Sequence, residues 1–480
     1  MPFHPVGLGI DIGTTNTKVV VADSSGPTLV LSRPTPAEAS TLLGVVVSLV
    51  REAVEAATTP PQAVGIASMA ESGFPLDADH RALTGLLSWQ DARSDVAFQA
   101  WAAAFGRDAF FTATGVRPGP KPPLSLWLDQ RRHDPDLLDA MAHWAGAADL
   151  VHHALTGRLR TDHTLAGRTG AYPLPETGAG LAPAFDPDLL AGAGLSPDRL
   201  PRVGLPGEEL DVVSRSLAGA TGLRAGTPVL VAGHDHQVAA WAAGAREPGA
   251  VADSVGTAEA VLTLVDRAPD RAALGRDGFS LTRAVDGATE VVLGGSPAAG
   301  GFLQWVADRH TDGDVAALLA DAMADPAALA GAAFWLPYPR GRQCPHPDPD
   351  AVARLVGEPT APHGLLALEA VCLQARWITD AAASHTDRAA GGPAVVIGEA
   401  VRRDSTWQAI KATLAGVPTR VVDVAEPVAT GAALLALVRT GLVPNEVSLP
   451  TTPLTPVPHH AAAYGRRLTE FIDAATRGEP

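Results

Sequence analysis

The sequence predicts an α/β protein built from two lobes, and three observations carry this prediction. The chain has 480 residues, whereas a single hydrophobic core stops growing near about 250–300 residues. Short apolar runs of period two alternate with stretches of helical spacing in both halves, as in folds that combine strands and helices. A break at Arg246–Gly249 separates the halves. We therefore expect lobes at residues 1–246 and 247–480, with a ligand-binding cleft between them.

The first lobe opens with a predicted β-hairpin. Leu8, Ile10 and Ile12 alternate at period two and predict a strand, and Lys18–Asp23 predicts the returning strand after a turn that begins at Gly13. The later elements predicted in this lobe are a helix at Ala37–Ala57, strands at Ala63–Ser68, Ala82–Trp89 and Pro228–Ala232, and a helix at Val238–Ala245.

The second lobe begins with a similar pattern. Ala252–Val265 reads ADSVGTAEAVLTLV and predicts two strands around a Gly-Thr turn, like IDIGTTNTKVVV near the start. The spacing from the aspartate to the turn differs by one residue, so the repeat is weak, but it falls where a second lobe would begin. The later elements predicted here are a strand at Ala394–Ile397, helices at Thr406–Ala415, Thr430–Thr440 and Ala461–Ala475, and a loop at Val447–Pro458.

Composition and charge exclude several classes of protein. Hydrophobic residues make up 46% of the chain and charged residues 18%, which is typical of globular proteins and argues against disorder. The net charge of −16 leaves no broad cationic surface for nucleic acid. The sequence shows neither a signal peptide nor a membrane-spanning run. Cys344 and Cys372 are too few for a disulfide framework, so we expect a reduced, cytoplasmic setting.

The hairpin at Gly9–Lys18 is the first candidate functional site. The chain has no GxxxxGK[ST], and its first glycines do not form a GxGxxG that opens a helix, which excludes a P-loop and a dinucleotide fold. Gly13 would let the backbone approach a phosphate, with donors from Thr14 and Thr15. Asp11 could hold a hydrated Mg²⁺ beside that phosphate. From these residues alone, a phosphate loop and an ordinary polar hairpin both remain open.

Further motifs follow the hairpin in order along the chain. They are Trp89-Gln90-Asp91-Ala92-Arg93, Thr114-Gly115, Leu124–Leu128, Leu155-Thr156-Gly157 with Thr161-Asp162, Gly233-His234-Asp235, Gly256-Thr257, Pro337–Pro349 and Ala429–Ala436. In this order the chain resembles the FGGY carbohydrate kinases, with stretches similar to the L-fuculokinase branch and features shared with xylulokinases and glycerol kinases. The resemblance implies two actin-like, ribonuclease-H-like ATPase lobes. It also implies an enzyme that uses ATP and Mg²⁺ to phosphorylate a hydroxyl of a sugar or polyol.

The resemblance assigns the catalytic and substrate-binding roles. Asp235 matches the family's catalytic aspartate and is expected to act as general base, although the residue type alone also allows a helix N-cap. His236 or Gln237 would help to hold the sugar. His234 and His236 have the HxH spacing of a zinc site, but no third ligand at a sensible spacing appears in the sequence, so we set zinc aside.

Two more substrate-binding residues follow from the resemblance. Glu71 stands where related glycerol kinases have the second residue of an Arg-Glu pair that contacts substrate hydroxyls, while Ala70 replaces the arginine. Trp89 could pack against the apolar face of a sugar. A solvated loop glutamate and a buried structural tryptophan are the alternatives, and the sequence leaves both pairs of interpretations open.

The nucleotide-binding residues implied by the resemblance lie in both lobes. They are Asp11, Gly13, Thr14, Thr15, Lys18, Gly256, Thr257, Gly300, Gln304, Gly398, Glu399 and Arg403. At the expected adenine turn, Glu399 and Arg403 replace the glycine and asparagine of relatives. Glu399 could point away, accept the adenine amine, pair with Arg403, weaken ATP binding, or change the nucleotide preference.

This departure defines an alternative function, a catalytically weak sugar- or nucleotide-binding sensor. An actin- or chaperone-like ATPase would share the fold but would not need the WQDAR motif, Glu71 and Asp235 together. The expected partners are a small carbohydrate and ATP, with neither nucleic acid nor membrane. The sequence leaves open whether the chain forms a homodimer.

Overall fold

The computed structural model describes residues 4–91, 94–268, 270–322, 333–359, 361–386, 392–457 and 461–477. Within these ranges the strands are β1 (Gly7–Ile12), β2 (Asn16–Asp23), β3 (Gly26–Pro34), β4 (Ala63–Ser68), β5 (Gly73–Leu76), β6 (His143–Gly146), β7 (Arg160–Asp162), β8 (Arg202–Gly204), β9 (Asp211–Val212), β10 (Pro228–His234), β11 (Val251–Val255), β12 (Glu259–Val265), β13 (Ser280–Arg283), β14 (Glu290–Ser296), β15 (Phe334–Leu336), β16 (Arg354–Val356), β17 (Ala394–Ile397), β18 (Thr419–Val422) and β19 (Thr451–Pro453).

The helices alternate with these strands along the chain. They are α1 (Ala39–Ala56), α2 (Asp95–Phe105), α3 (Arg107–Thr114), α4 (Pro123–His133), α5 (Pro135–Ala140), α6 (Ala147–Thr156), α7 (His163–Ala166), α8 (Pro187–Ala191), α9 (Arg215–Thr221), α10 (Asp235–Ala242), α11 (Arg271–Arg276), α12 (Gly300–His310), α13 (Val315–Ala322), α14 (His363–Ser384), α15 (Glu399–Arg403), α16 (Ser405–Ala415), α17 (Pro427–Arg439) and α18 (Ala461–Thr476). In the described part of the chain, none of these helices is both long and apolar enough to cross a membrane.

Two of the predicted segments differ in the structure. The strand predicted at Ala82–Trp89 is wrong, because the segment makes only isolated bridges with β5 and no continuous ladder. Leu83 and Leu87 donate to Pro75 O and Gly73 O of β5, whereas Leu86 donates to Ala37 O. The loop predicted at Val447–Pro458 contains β19, which pairs with β18. A proline is tolerated there because β19 ends the order of its sheet.

The chain divides into two compact units. The first unit comprises residues 1–244, 281–290 and 424–450, and the second comprises residues 245–280, 291–423 and 451–480. The sequence-based division after residue 246 assigned residues 281–290 and 424–450 to the second lobe. In the structure both segments pack with the first unit, because the chain returns to it twice.

The main sheet of the first unit has the order β3-β2-β1-β4-β10-β9. β1 pairs antiparallel with β2 and parallel with β4, and β4 in turn is parallel to β10. Every residue of β1 and β4 is buried, as expected for strands covered on both faces. Because β1, β4 and β10 run in one direction, the segments that follow Ile12, Ser68 and His234 emerge at one edge of the sheet.

Helix α17 packs against this sheet through glycines that lack a side chain. A Cβ atom placed on Gly9 would overlap the carbonyl of Ala429, and one on Gly65 would overlap the carbonyl of Ala432. The two glycines therefore let the helix backbone approach β1 and β4 more closely than any other residue would allow. This close packing explains why a segment near residue 430 belongs to the first unit.

The main sheet of the second unit repeats the same pairing pattern. Its order includes β14-β12-β11-β17-β18-β19, with β11 antiparallel to β12 and parallel to β17, and β17 parallel to β18. The weak sequence repeat thus corresponds to a hairpin followed by parallel strands in both units. Gly256 and Gly398 follow β11 and β17 at the same edge.

Candidate active site

The turn between β1 and β2 is held in shape by Thr35. The Thr35 backbone N–H donates to Thr15 O at 2.9 Å, and its hydroxyl donates to Gly13 O at 2.7 Å. Within the turn, the Gly13 N–H donates to Asn16 O at 3.1 Å. The turn therefore has a defined conformation in which Thr14 and Thr15 are exposed.

Asp11 is the buried carboxylate at the end of β1, with 4% of its surface exposed. Lys18 lies opposite on β2, with its Nζ 3.6 Å from Asp11 Oδ2 and 2.6 Å from Glu426 Oε2. Burial raises the pKa of Asp11 to about 7; Lys18 opposes this rise, whereas the negative charges of Asp235 and Glu426 add to it. Among the described residues, Asp11 Oδ1 is buried without a hydrogen-bond partner.

Asp235 is the first residue of α10 and directly follows β10. Its Oδ1 accepts a hydrogen bond from the His236 backbone N–H at 2.7 Å and lies 3.2 Å from His234 Nε2. The N-cap position of this helix is occupied by His234. Asp235 lies near enough to Asp11 for its charge to raise the pKa of that carboxyl. The structure thus brings these two predicted residues together.

His234 is fixed by a buried polar network. Its backbone N–H donates to Thr164 Oγ1 at 2.8 Å, and the Thr164 N–H donates to Asp162 Oδ1 at 2.6 Å. Burial lowers the pKa of His234 to about 4, so its ring is neutral at pH 7. Possible ligand atoms of His234, Asp235 and His236 lie within 4.8 Å of one another. A metal ion is therefore a geometrically allowed occupant of this cluster.

Glu71 pairs with an arginine that the sequence did not identify. Arg168 Nε donates to Glu71 Oε1 at 3.0 Å, and Arg168 Nη2 donates to the same oxygen. Burial raises the pKa of Glu71, but the positive charges of Arg168 and Lys121 outweigh this effect and hold the pKa below its ordinary value. Glu71 has a φ of 65°, a left-handed conformation that costs a non-glycine residue energy. It is thus a partly buried ionised group rather than a solvated loop glutamate.

Trp89 connects its loop to the hairpin. Its Nε1 donates to Thr14 Oγ1 at 3.3 Å, and Lys121 Nζ lies 5.0 Å from the centroid of its rings. Ala92 and Arg93 of the same motif lie outside the described residues. Gln237, in contrast, is only 3% exposed and donates to Thr282 Oγ1 at 3.3 Å. Trp89 is half-buried, so part of its surface is accessible, whereas Gln237 is enclosed.

The second unit has its own exposed turn at Gly256 and Thr257. The Gly300 N–H donates to Gly256 O at 3.0 Å, and the Gly301 N–H donates to Thr257 O at 2.9 Å. A Cβ atom on Gly398 would overlap Val255 O. The predicted residues Gly256, Gly300 and Gly398 are therefore neighbours at one edge of this sheet.

The remaining predicted nucleotide residues are engaged with other protein groups. Gln304 Nε2 donates to Asp308 Oδ1 at 2.8 Å and to Gly313 O at 3.0 Å. Arg402 donates two hydrogen bonds to the Glu399 carboxylate, both at 2.8 Å, and Arg403 Nε lies 2.5 Å from Glu399 Oε1. The hydrogen bond from Arg402 is the main reason why the pKa of Glu399 lies below its ordinary value.

Comparison with known proteins agrees with the order of the motifs. The model of the N-terminal domain of the FGGY family of carbohydrate kinases matches residues 6–242, and the model of its C-terminal domain matches residues 251–440. The chain belongs to the FGGY family of carbohydrate kinases. The family resemblance and the α/β fold of two lobes predicted from the sequence are confirmed.

Individual members of the FGGY family resemble the chain to different extents. It is 33% identical to L-fuculokinase from Escherichia coli strain K12 over 122 residues, which span 25% of this chain and about a quarter (24%) of that enzyme. It is 29% identical to glycerol kinase from Allorhizobium ampelinum over 446 residues, or 87% of this chain and 82% of the relative. The crystal structure of gluconate kinase from Lactobacillus acidophilus matches with a TM-score of 0.86 at 19% identity, covering 98% of each chain.

Within this FGGY fold, sequence reasoning missed two charged partners of the predicted residues. Arg168 lies after α7 in a segment without a recognisable motif, and Glu426 immediately precedes α17. Neither has a periodicity or spacing that separates it from other charged residues in the sequence. Their roles became visible only where the fold places them against Glu71 and Lys18.

Proposed function

We propose that this FGGY protein is an ATP-dependent carbohydrate kinase in which Asp235 takes the proton from the acceptor hydroxyl. The observation that carries the proposal is that Asp235 and Asp11 lie at the same edge of the sheet, where β1 and β10 end. Asp235 is partly exposed, with 22% of its side chain accessible, and therefore suits a base. Asp11 is buried and suits a metal ligand. Phosphoryl transfer requires both kinds of group.

Asp11 is the residue that fits Mg²⁺. Its carboxylate supplies the hard oxygen ligands that this ion prefers, and the unpartnered Oδ1 is free to take up such a ligand role. When bound by Asp11, Mg²⁺ would supply positive charge that neutralises the charge developing on the transferred phosphate. Lys18 and the Thr14–Thr15 turn lie next to Asp11 and would supply donors to the same phosphates.

Glu71 and Arg168 fit a polyol. Arg168 uses Oε1 of Glu71 twice, so among the described residues Oε2 has no protein donor and can accept a hydroxyl. Arg168 Nη1 is buried without an acceptor in the described part of the chain. An acceptor atom and a donor atom within one ion pair match the hydroxyls of a carbohydrate, and leaving either atom unpaired in a buried site costs about 1–3 kcal/mol. We therefore assign substrate binding to this pair, together with Trp89 and His236.

For the nucleotide, we propose binding at the edge formed by Gly256, Thr257, Gly300 and Gly398. The adjacent Glu399 carboxylate is neutralised by Arg402 and Arg403, which removes the repulsion that a free carboxylate would exert on ATP. The alternative of a weak, sensor-like member rests on this glutamate. The ion pairs of Glu399 with Arg402 and Arg403 favour the active kinase over this alternative.

The proposal is tested by Asp235→Asn, with ADP release measured for pentoses, hexoses, polyols and sugar acids. The substitution should lower kcat by about 10²–10⁴-fold while ATP affinity stays near that of the wild type. Asp186→Asn is a matched control, because Asp186 caps α8. Substantial turnover in Asp235→Asn would remove Asp235 from the role of base. Sugar binding by the wild type without ADP release would favour the sensor.

A further inference from the structure

The second unit contains a cavity at the edge opposite to the Gly256–Gly398 turn region. Its volume is about 170 Å³, and α14, α16 and the first residues of β11 and β17 surround it. Val251, Ala394, Val396 and Leu414 form apolar walls. Because β11 and β17 are parallel, their amino ends face this cavity while their carboxyl ends lead to Gly256 and Gly398. The cavity is therefore distinct from the proposed nucleotide edge.

The inner end of the cavity carries buried charges. Lys411 lines it with 4% of its side chain exposed, and its Nζ donates to Asp253 Oδ2 at 2.5 Å and to Glu259 Oε1 at 2.8 Å. An ammonium group has three N–H donors, so one proton of Lys411 remains beyond these two bonds. Asp253 also lines the cavity, but its carboxylate shares a hydrogen bond with Glu259, whose pKa is raised to about 8 mainly by burial. One N–H donor of Lys411 thus remains unused at the end of an apolar cavity.

The outer end of the cavity is accessible. Asp380 and Gly416 are exposed, and Arg376 is half-buried. The Arg376 guanidinium is already occupied by Asp380 and by the carbonyls of Leu414 and Ala415. A ligand could therefore enter beside these groups, while its polar recognition would come from Lys411 at the inner end.

From this arrangement we propose that the cavity binds a small neutral ring compound with one hydroxyl group, such as a phenol or a cyclic alcohol. A cavity of about 150 Å³ is sufficient for benzene, so 170 Å³ accommodates one ring with a small substituent. A hydroxyl oxygen accepts hydrogen bonds, and so pairs with the remaining Lys411 proton. An anion would meet Asp253 and a cation would meet Lys411, which disfavours charged ligands.

Phenol and toluene are the probes, titrated into the full-length protein by isothermal calorimetry. We expect saturable one-to-one binding of phenol and at least about ten-fold weaker binding of toluene, because toluene leaves the buried third proton of Lys411 unpaired. Saturating ATP should leave the affinity for phenol unchanged. No saturable binding of phenol, or equal affinity for both probes, would overturn the proposal. The titration requires no catalytic activity, so it succeeds or fails independently of the proposed kinase function.

Variants that fill the cavity locate the bound probe. Ala375→Leu adds volume inside the cavity from α14, whereas Ala383→Leu changes a residue of the same helix that does not line it. Ala375→Leu should abolish phenol binding, whereas Ala383→Leu should leave it unchanged. Val417→Phe fills the cavity from the loop after α16 and serves if Ala375→Leu does not fold, as judged by circular dichroism. Unchanged affinity in a folded, filled variant would place phenol elsewhere and contradict the proposal.

Discussion

Glu426 holds the ammonium group of Lys18 at 2.6 Å, closer than the 3.6 Å that separates Lys18 from Asp11. Glu426 does so from a backbone conformation with a φ of 53°, which is unfavourable for a residue with a side chain. The ammonium group is thus shared between two carboxylates. Glu426 draws it partly away from Asp11, the proposed metal ligand.

We predict that Glu426→Gln raises the Mg²⁺ concentration needed for half-maximal ADP release by about three- to ten-fold. Without the charge of Glu426, Lys18 would pair more strongly with Asp11 and compete with the ion, and a tenfold change corresponds to about 1.4 kcal/mol. Glu52→Gln is the control, because Glu52 pairs with Arg33 at an exposed site. An unchanged Mg²⁺ requirement in Glu426→Gln would contradict this coupling.

Arg168→Met should raise KM for the carbohydrate by about 10–100-fold with a smaller change in kcat. It removes a partly buried donor and leaves Glu71 without its main counter-charge, a loss of about 2–5 kcal/mol shared between binding and stability. Arg168→Lys should recover part of the affinity, since it restores the charge but not the paired geometry. Steady-state kinetics with the preferred sugar separate KM from kcat. If both variants kept the wild-type KM, Arg168 would have only a structural role.

Glu399→Gly should change KM for ATP by less than about three-fold. The carboxylate is already neutralised by Arg402 and Arg403, and exposed ion pairs contribute only about 0–1 kcal/mol. KM for ATP is measured at saturating sugar. Asp308→Asn, which alters a residue bonded to Gln304, provides a comparison near the same site. A gain in ATP affinity of ten-fold or more in Glu399→Gly would show that Glu399 repels the nucleotide.

Asp149 provides a prediction about the pH dependence of stability. Burial raises its pKa from 3.8 to about 7, so between these pH values the folded chain binds a proton that the unfolded chain has lost. Its contribution to the free energy of unfolding therefore falls as pH rises through this window. The asparagine of Asp149→Asn cannot titrate. The free energy of unfolding of this variant at pH 8 should therefore exceed that of the wild type by up to about 4 kcal/mol, since one pKa unit corresponds to about 1.4 kcal/mol.

The test for Asp149 is urea unfolding of both proteins at pH 4.5 and pH 8. The difference in the free energy of unfolding between Asp149→Asn and the wild type should be larger at pH 8 than at pH 4.5. Asp188→Asn removes a carboxylate from an exposed position and should show no such change between the two pH values. If the free energies of unfolding of Asp149→Asn and the wild type changed in parallel with pH, ionisation of Asp149 would not destabilise the folded protein, and the prediction would be wrong.

The sequence predicted the parts of the molecule that depend on local pattern. The hairpin around Gly13, the strand Ala394–Ile397 and the position of Asp235 after a strand all follow from periodicity and motif order. The strand predicted at Ala82–Trp89 was wrong because the segment makes only isolated bridges with β5 and no continuous ladder. Local pattern does not determine how backbone groups are divided among distant partners.

Long-range pairing explains what the sequence could not provide at the candidate site. Arg168 pairs with Glu71, the residue that follows Ala70, but it reaches Glu71 from nearly 100 positions along the chain. The cavity beside Asp253 and Lys411 likewise combines strands and helices from distant segments. Such pairs depend on the tertiary fold, and no spacing rule connects them.

The packing of α17 on Gly9 and Gly65 has a consequence for biosynthesis. A ribosome releases the amino-terminal strands first, at about 5–20 residues per second, and the helix that covers them follows only after nearly the whole second unit has been translated. During that interval one face of the nascent sheet remains apolar and uncovered. The growing polypeptide therefore needs either chaperone protection or a temporary internal cover until residues 424–450 emerge.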